Sequence, residues 1–370
     1  MLLREITDVL ERIAPLEWAE PWDNVGLLVG DESQTVTSAI LCIDYTDAVA
    51  IEAKEMGCEL VIAYHPTLFK PVSRLIAAGA TKLLFDAARR GVAIYSPHTA
   101  LDVAPGGTND VLADIVVMRD RRPLRLSEPK SAHLKLVVFV PRANTDSVCA
   151  AMFDAGAGHI GRYDSCSFRT TGTGTFRGEA GTNPAIGIPG RLERVDEDRV
   201  ETIVPQRLLS RVIDAMRKAH PYEEVAFDVY PLAQAGEIIG MGAGMGRVGN
   251  VPEGSTIEMM LNRVKRELGV DHLLVSGDVE RSLRKVAVCA GAGGDLLNEV
   301  IAEKVDLYLT GELRHHDALR ARSAGVTVAC ALHSNSERVA LNALSARLAA
   351  ELPTLQLKQA MTDRDPFSIL

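Results

Sequence analysis

The chain has 370 residues, 47% hydrophobic and 24% charged, which suits a globular protein of two or three domains able to bury large cores without staples. A net charge of −9 at pH 7 and a pI near 5.6 lack the basic footprint of a dedicated nucleic-acid binder. No run approaches the ~20 apolar residues that cross a bilayer, and the N-terminus lacks a basic start followed by an apolar run, so no membrane partner and a cytoplasmic location are expected.

Residues 1–17 read as an amphipathic helix with Ile6, Val9, Leu10 and Ile13 on one face. After the polar, Trp-containing segment EWAEPWDNVGLLVGD, strands and helices alternate. Residues 39–43, 60–63 and 92–95 read as strands. Residues 47–56 and 81–90 read as helices, and another helix starts at 108. Such alternation predicts βαβ units and a largely parallel sheet. Arg121 to Pro123 read as a basic loop.

The middle of the chain has a different rhythm. A strand over 133–140, a helix over 146–155, strands and a hairpin in TTGTGTFRGEAGTNPAIGIPG, a helix over 204–219 and a strand over 224–232 give the order βαββαβ. That is the order of a ferredoxin-like module. The Gly-rich GEIIGMGAGMGRVG leads back to alternation, with strands at 285–290, 306–310 and 326–332 and helices at 294–304, 316–324 and 334–350. The expected fold is therefore α/β. Two similar α/β halves (1–128 and 239–370) form one main domain, with a ferredoxin-like (βαββαβ) module inserted at 129–238.

Open α/β sheets bind ligands outside the carboxyl ends of their strands, so the polar residues ending the strands are the candidates. They are His65, then His98 and Asp102, then Glu312, then His333 with Glu337. His333 and Glu337 are four apart on a helix that Ser334 can cap, so imidazole and carboxylate can face one ion. A first-turn Glu beside a helix-start His is also ordinary helix chemistry. His65 precedes Pro66, which keeps the chain extended there. It reads equally well as a structural histidine. The loop between His98 and Asp102 does not read as helix. Gly106 and Gly107 permit a tight turn, from which Asn109 can reach back. His315 and His316 open a helix, and at least one is expected to be exposed. His220 reads as a turn residue or as part of a loop closing over a site. Of two Gly-rich runs, GAGMGRVG follows no clear strand, while CAGAGG follows one and could cradle phosphate. Neither matches a full nucleotide-binding pattern. The six cysteines form no Cys-x-x-Cys pair and read as buried, reduced thiols.

The segments PWDNVGLLVGD, YHPTLFKP, SPHTALDVAPGGTND, AGAGGDLL, DLYLTGELRHHDAL, HSNSE and TDRDPFSIL occur in order. Together they resemble the dinuclear metal-centre hexamer family known as GTP cyclohydrolase 1 type 2 homologs. The resemblance covers most of residues 1–115 and 280–370, and the central module resembles the insertion of longer members. It implies two divalent metal ions per subunit (zinc, iron or manganese) held by His65, Asp102, His333 and Glu337. Tyr64 stands where the family has a fifth ligand, a histidine, and His98 is a candidate to fill that place. The family's Gly-His at the last motif is Leu332-His333 here. The resemblance further implies a homo-hexameric ring whose sites face an interior cavity, with the module as lid or gate.

Paired ions can share a bridging hydroxide and stabilise charge on an attacked group. The leading expectation is a metal-dependent hydrolase acting on a nucleotide or phosphoester. The alternative is a non-catalytic metal-binding scaffold or regulatory ring protein. A small-molecule sensor working through the module is a third reading.

Overall fold

The computed structural model describes residues 1–127, 133–160, 163–232 and 242–369. In chain order, its first part runs α1 (Leu3–Ile13), β1 (Gly26–Val29), β2 (Ser38–Cys42), α2 (Asp47–Glu55), β3 (Leu60–Ala63), α3 (Lys82–Arg89), β4 (Ala93–Ser96), α4 (His98–Val103), α5 (Thr108–Ile115) and β5 (Arg119–Leu126). The middle part runs β6 (His133–Pro141), α6 (Thr145–Asp154), β7 (Ser167–Arg177), β8 (Leu192–Pro205), α7 (Leu209–Ala219) and β9 (Phe227–Pro231). The last part runs β10 (Gly244–Asn250), α8 (Ile257–Leu268), β11 (Leu274–Ser276), β12 (Lys285–Ala292), α9 (Leu297–Ala302), β13 (Leu307–Glu312), α10 (His315–Ser323), β14 (Thr327–Cys330), α11 (His333–Glu351) and β15 (Gln356–Gln359).

These elements form two units, Met1–Glu128 with Gly240–Leu370, and Pro129–Ile239. The boundaries expected at 128/129 and 238/239 lie outside the described residues. The larger unit holds two sheets. The first has the order β1-β4-β3-β2-β15, with β15, β2, β3 and β4 parallel and β1 antiparallel at the edge. The second has the order β11-β14-β13-β12-β10-β5, with β12, β13 and β14 parallel. Its remaining strands, β11, β10 and β5, pair antiparallel. Each sheet therefore has a parallel core of Val, Ile, Leu and Ala strands buried on both faces, as βαβ construction requires. The fold is the α/β arrangement of two halves anticipated above.

Four features of this unit were not anticipated. β5 (RDRRPLRL) is a strand and not a loop. It lies at a sheet edge, paired only with β10, where Pro123 is tolerated because no ladder bond is needed on its free side. The described end of the Gly-rich run, Gly244 to Gly249, belongs to β10 and is not a connector, while residues 236–241 lie outside the described residues. The polar β15 crosses from the C-terminus to the edge of the first sheet, beside β2. α8 is capped by Thr256, which accepts from the Met259 amide, and ends at left-handed Gly269.

The long helix α11 links the sheets. Its Leu341, Leu344 and Leu348 pack with Leu3, Ile6 and Leu10 of α1 and with the first sheet, while Val339 packs on the core of the second. Placing α11 at that seam is what brings residues of both sheets to one place.

The smaller unit is a four-stranded antiparallel sheet of order β7-β8-β6-β9 covered by α6 and α7. This is the ferredoxin-like βαββαβ module. His220 is a turn residue within it, with Nε2 on the Phe139 carbonyl at 3.0 Å and Nδ1 accepting the Tyr222 amide at 3.1 Å. Among the described residues no helix is long and apolar enough to cross a membrane.

Candidate metal centre

The parallel strands of both sheets end at the same place. β2 runs into Asp44, β3 into Tyr64 and His65, and β4 into His98 at the start of α4. β13 ends in Glu312, and β14 leads through Leu332 into His333 and α11. Among the described residues one cluster could hold a metal ion. His65, His333 and Glu337 each offer a ligand atom, all within 4.8 Å of one another.

The imidazoles are aimed. His65 Nδ1 lies 2.9 Å from Asp44 Oδ1, and His333 Nδ1 lies 3.1 Å from Glu312 Oε1. Each carboxylate accepts a hydrogen bond from the Nδ1–H, which turns Nε2 inward. His65 Nε2 is then 3.2 Å from Glu337 Oε2, and His333 Nε2 is 3.2 Å from Glu337 Oε1. The geometry at Oε2 is a charge contact and not a hydrogen bond, so this buried oxygen has no hydrogen-bond partner. A nitrogen lone pair facing a carboxylate oxygen is repulsive unless a cation lies between them. That cation is either a second proton on each ring or a shared metal ion. Ligands ~2.0–2.2 Å from a tetrahedral ion sit roughly 3.3–3.6 Å apart, close to the separations here. The donor set, its carboxylate-anchored rings and the unbonded oxygen therefore fit a divalent cation.

Without a metal ion, the proton alternative is favoured on both rings. Burial opposes charge on His65, but Asp44 and Glu337 outweigh it and hold the ring at about 10. His333 rises to about 9, chiefly through Glu337. Burial pushes the Glu337 carboxyl up, and the two imidazoles more than reverse that, leaving it below its ordinary value.

Asp102 is adjacent but outside the trio. α4 is helical from His98, contrary to the loop expected there, and this places Asp102 in the interior, 7% exposed. Its Oδ1 accepts from the Tyr64 phenol, whose oxygen also lies 3.0 Å from Thr108 Oγ1. Burial and the charge of Glu337 raise the Asp102 carboxyl to about 6, and burial with Asp102 raises the Tyr64 phenol far above its ordinary range. Asn109 does reach back. It donates to the Asp102 carbonyl at 2.9 Å and accepts the Ala290 amide at 3.0 Å, tying the two halves beside the site. His98 is turned to Asp23, with Nδ1 to Oδ1 2.9 Å, while its ring centroid is 5.2 Å from that of His65. It flanks the trio without joining it.

Two residues that orient the imidazoles of the trio were not assigned a role from sequence. Glu312 stood among the strand-end candidates without a function. Asp44 was missed, although it ends β2 by the same rule. Ser334 does not cap α11 but donates to Asp365 at 2.7 Å. His315 and His316 are exposed and outside the trio. The CAGAGG run is not an open phosphate cradle. A Cβ on Gly291 (φ +64°) would stand 2.7 Å from Glu337 Oε1, and one on Gly293 would stand 2.1 Å from the Tyr308 hydroxyl. Gly291 lets the backbone of β12 close directly over the trio.

Leu332 precedes His333 at φ +71° and ψ 154°, a region that is essentially glycine's own. Such strain costs about 1–3 kcal/mol. Leu332→Gly should therefore stabilise the protein by about 1 kcal/mol after the lost packing of a half-buried leucine, read as a higher urea midpoint with an unchanged slope.

A family model described as Duf34/NIF3 (NGG1p interacting factor 3) matches residues 1–366. A GTP cyclohydrolase 1 type 2 homolog of Halalkalibacterium halodurans is 36% identical over 370 residues, covering 99% of this chain and 98% of its own. One of Mycobacterium bovis is 40% identical over 321 residues, covering 85% and 83%. Among solved structures, a Bacillus cereus protein related to NIF3 has a TM-score of 0.66 at 34% identity, covering 100% of this chain and 99% of its own. Staphylococcus aureus protein SA1388 has a TM-score of 0.73 at 26% identity with the same coverage.

Proposed function

The chain belongs to the Duf34/NIF3 family, and we propose that it is a divalent-metal-dependent hydrolase acting on a nucleotide or phosphoester, with His65, His333 and Glu337 as ligands. The observation that carries this reading is the convergence of two carboxylate-anchored imidazoles on one buried carboxylate. A structural ion pair needs only one such contact. Mixed nitrogen and oxygen donors suit zinc, iron or manganese. A divalent ion bound there supplies Lewis-acid polarisation of a phosphoryl or carbonyl oxygen.

The remaining work falls to the chain itself. Asp44 and Glu312 hold the ring orientation. Glu312 also lines a polar cleft of ≈ 590 Å³ with Asp295, Asn298, Arg314, Asp317 and Arg320. Arg314 and Arg320 can take phosphate oxygens at the mouth of the centre, as guanidinium groups do well. The name shared by the relatives points to a purine nucleotide such as GTP as the first substrate to try. A homo-hexamer with sites facing an inner cavity is part of the proposal, and its test is the solution mass against the 39.9 kDa chain.

The test of activity is His333→Ala in the full chain. Wild type should hydrolyse at least one member of a nucleotide and phosphomonoester panel. Its rate should fall to background with chelator and return with added metal. His333→Ala should stay at the chelated background while keeping its far-UV CD and assembly state. A wild-type protein that binds metal and hydrolyses nothing on the panel would instead favour the non-catalytic metal-binding ring.

A further inference from the structure

Asp102 is a buried carboxylate outside the trio, and it is hydrogen-bonded to Tyr64. The Tyr64 side chain is fully buried and belongs to the hydrophobic core with Tyr95, Ala100, Leu101 and Ala104. Its backbone is pinned on both sides, the amide to the Cys42 carbonyl at 2.8 Å and the carbonyl to Ser96 Oγ at 2.7 Å. The ring lies edge-on to His65 and His98, with centroids 5.4 and 5.7 Å away. A ring packed this way has no room to swing. Its hydroxyl meets Asp102 Oδ1 and Thr108 Oγ1. A phenol has one proton. When that proton goes to Asp102, the phenol oxygen accepts from Thr108.

We propose that Tyr64 closes half of the centre, so that this chain holds one divalent cation at His65, His333 and Glu337 and the place beside Asp102 lacks the donor that a second ion needs. The proposal rests on the metal-site reading above. A cation approaching Asp102 Oδ1 meets a proton where an imidazole at position 64 would present a lone pair. Asp102 keeps Oδ2 and further lone pairs, but a second cation beside it finds no nitrogen donor at position 64, and ligation through Oδ1 surrenders the phenol bond inside the core at a cost of ~1–3 kcal/mol. Tyr64 is thus a residue that sets metal stoichiometry, and the two-ion centre implied by the family resemblance does not fit the residues present.

The experiment titrates metal-free, full-length wild type, Tyr64→His and His333→Ala with zinc, and counts bound ions per chain by elemental analysis after gel filtration. Wild type should retain one zinc, Tyr64→His two and His333→Ala none. Two zinc ions on wild type would overturn the closure by Tyr64 and leave the metal site standing. No zinc on wild type, or zinc unaffected by His333→Ala, would overturn the metal site itself. A folded Tyr64→His that still binds one ion would also overturn the role of Tyr64. Should Tyr64→His fail to fold, cobalt-loaded wild type decides. An uncoupled high-spin EPR signal supports a single ion, and exchange-coupled cobalt overturns it.

Discussion

Glu337→Gln should lose metal affinity by more than any change to the carboxylates that anchor the two imidazoles. The side chain is 2% exposed and its two oxygens each face one imidazole nitrogen at 3.2 Å. The amide keeps the volume, so packing on α11 is preserved, but it removes the charge that both rings converge on. It also places an NH2 donor against one of them. The anchoring carboxylates give an internal scale. Asp44→Asn and Glu312→Gln leave the ligands in place and loosen their orientation, and outer-partner losses of this kind typically cost 10–100-fold in affinity. Glu337→Gln should exceed that range. Competition with a chromophoric chelator measures all three on one axis. Equal affinities for Glu337→Gln and wild type would mean that the trio is an ion-pair network and not a metal site.

The ordering of those variants depends on which parts of the centre sequence reasoning could reach. Candidates were found by asking which polar residues end parallel strands, and that question located His65, His98, Glu312 and His333 correctly because the strands are apolar runs with sharp ends. It could not say which candidates would meet. That depends on α11 lying at the seam of two sheets, and thus on Leu341, Leu344 and Leu348 packing against α1, a long-range arrangement with no local signal. Asp102 was also found by that question, and the structure places it beside the trio and not within it. The segment from His98 to Asp102 reads as loop in sequence but is the helix α4, and the Asp102 carboxylate is buried against the phenol of Tyr64.

β10 was hidden for a different reason. Glycine is depleted in strands and normally signals a turn. Here Gly244 and Gly249 sit where a Cβ would come within 2.3 Å of the Arg125 carbonyl and 2.4 Å of the Arg119 carbonyl. The glycines exist because β5 lies so close, and nothing in GMGRVG announces a neighbour. β15 and β5 were missed because edge strands can be polar or charged, which blunts them against pairing with other chains.

The residue that most depends on this hidden strand is Arg247, and its removal should cause the largest loss of stability of any change away from the centre. Arg247 is 1% exposed. Its Nε and an Nη meet the two oxygens of Asp110 on α5 at 2.9 and 2.8 Å, and its other Nη reaches the Gly244 and Gly246 carbonyls at 2.6 and 2.8 Å. The Gly106 amide and Arg121 complete the shell of Asp110. This bidentate pair joins the first half of the larger unit to the second. Breaking a buried pair by removing one partner costs about 3–5 kcal/mol, because the other charge stays behind unpaired. Because Arg121 and the Gly106 amide stay with Asp110, Arg247→Met should lower stability by about 3 kcal/mol, the low end of that range, seen as a lower urea midpoint at pH 7. Adding Asp110→Leu to it should recover part of the loss, since an apolar replacement of both partners leaves no orphan charge.

The pH dependence has a definite sign. Burial pushes the Asp110 carboxyl up, but Arg247 and the Gly106 amide outweigh it and leave the folded value below the ordinary 3.8. A depressed carboxyl stabilises the fold above its unfolded pKa and loses that contribution as pH falls through the folded value. The stability gap between wild type and Asp110→Asn should therefore be full at pH 7 and shrink below pH ~4, where the unfolded carboxyl begins to bind its proton. Urea titrations of both proteins at pH 3, 4 and 7 measure the gap, and a gap independent of pH would show that the pair contributes through shape alone.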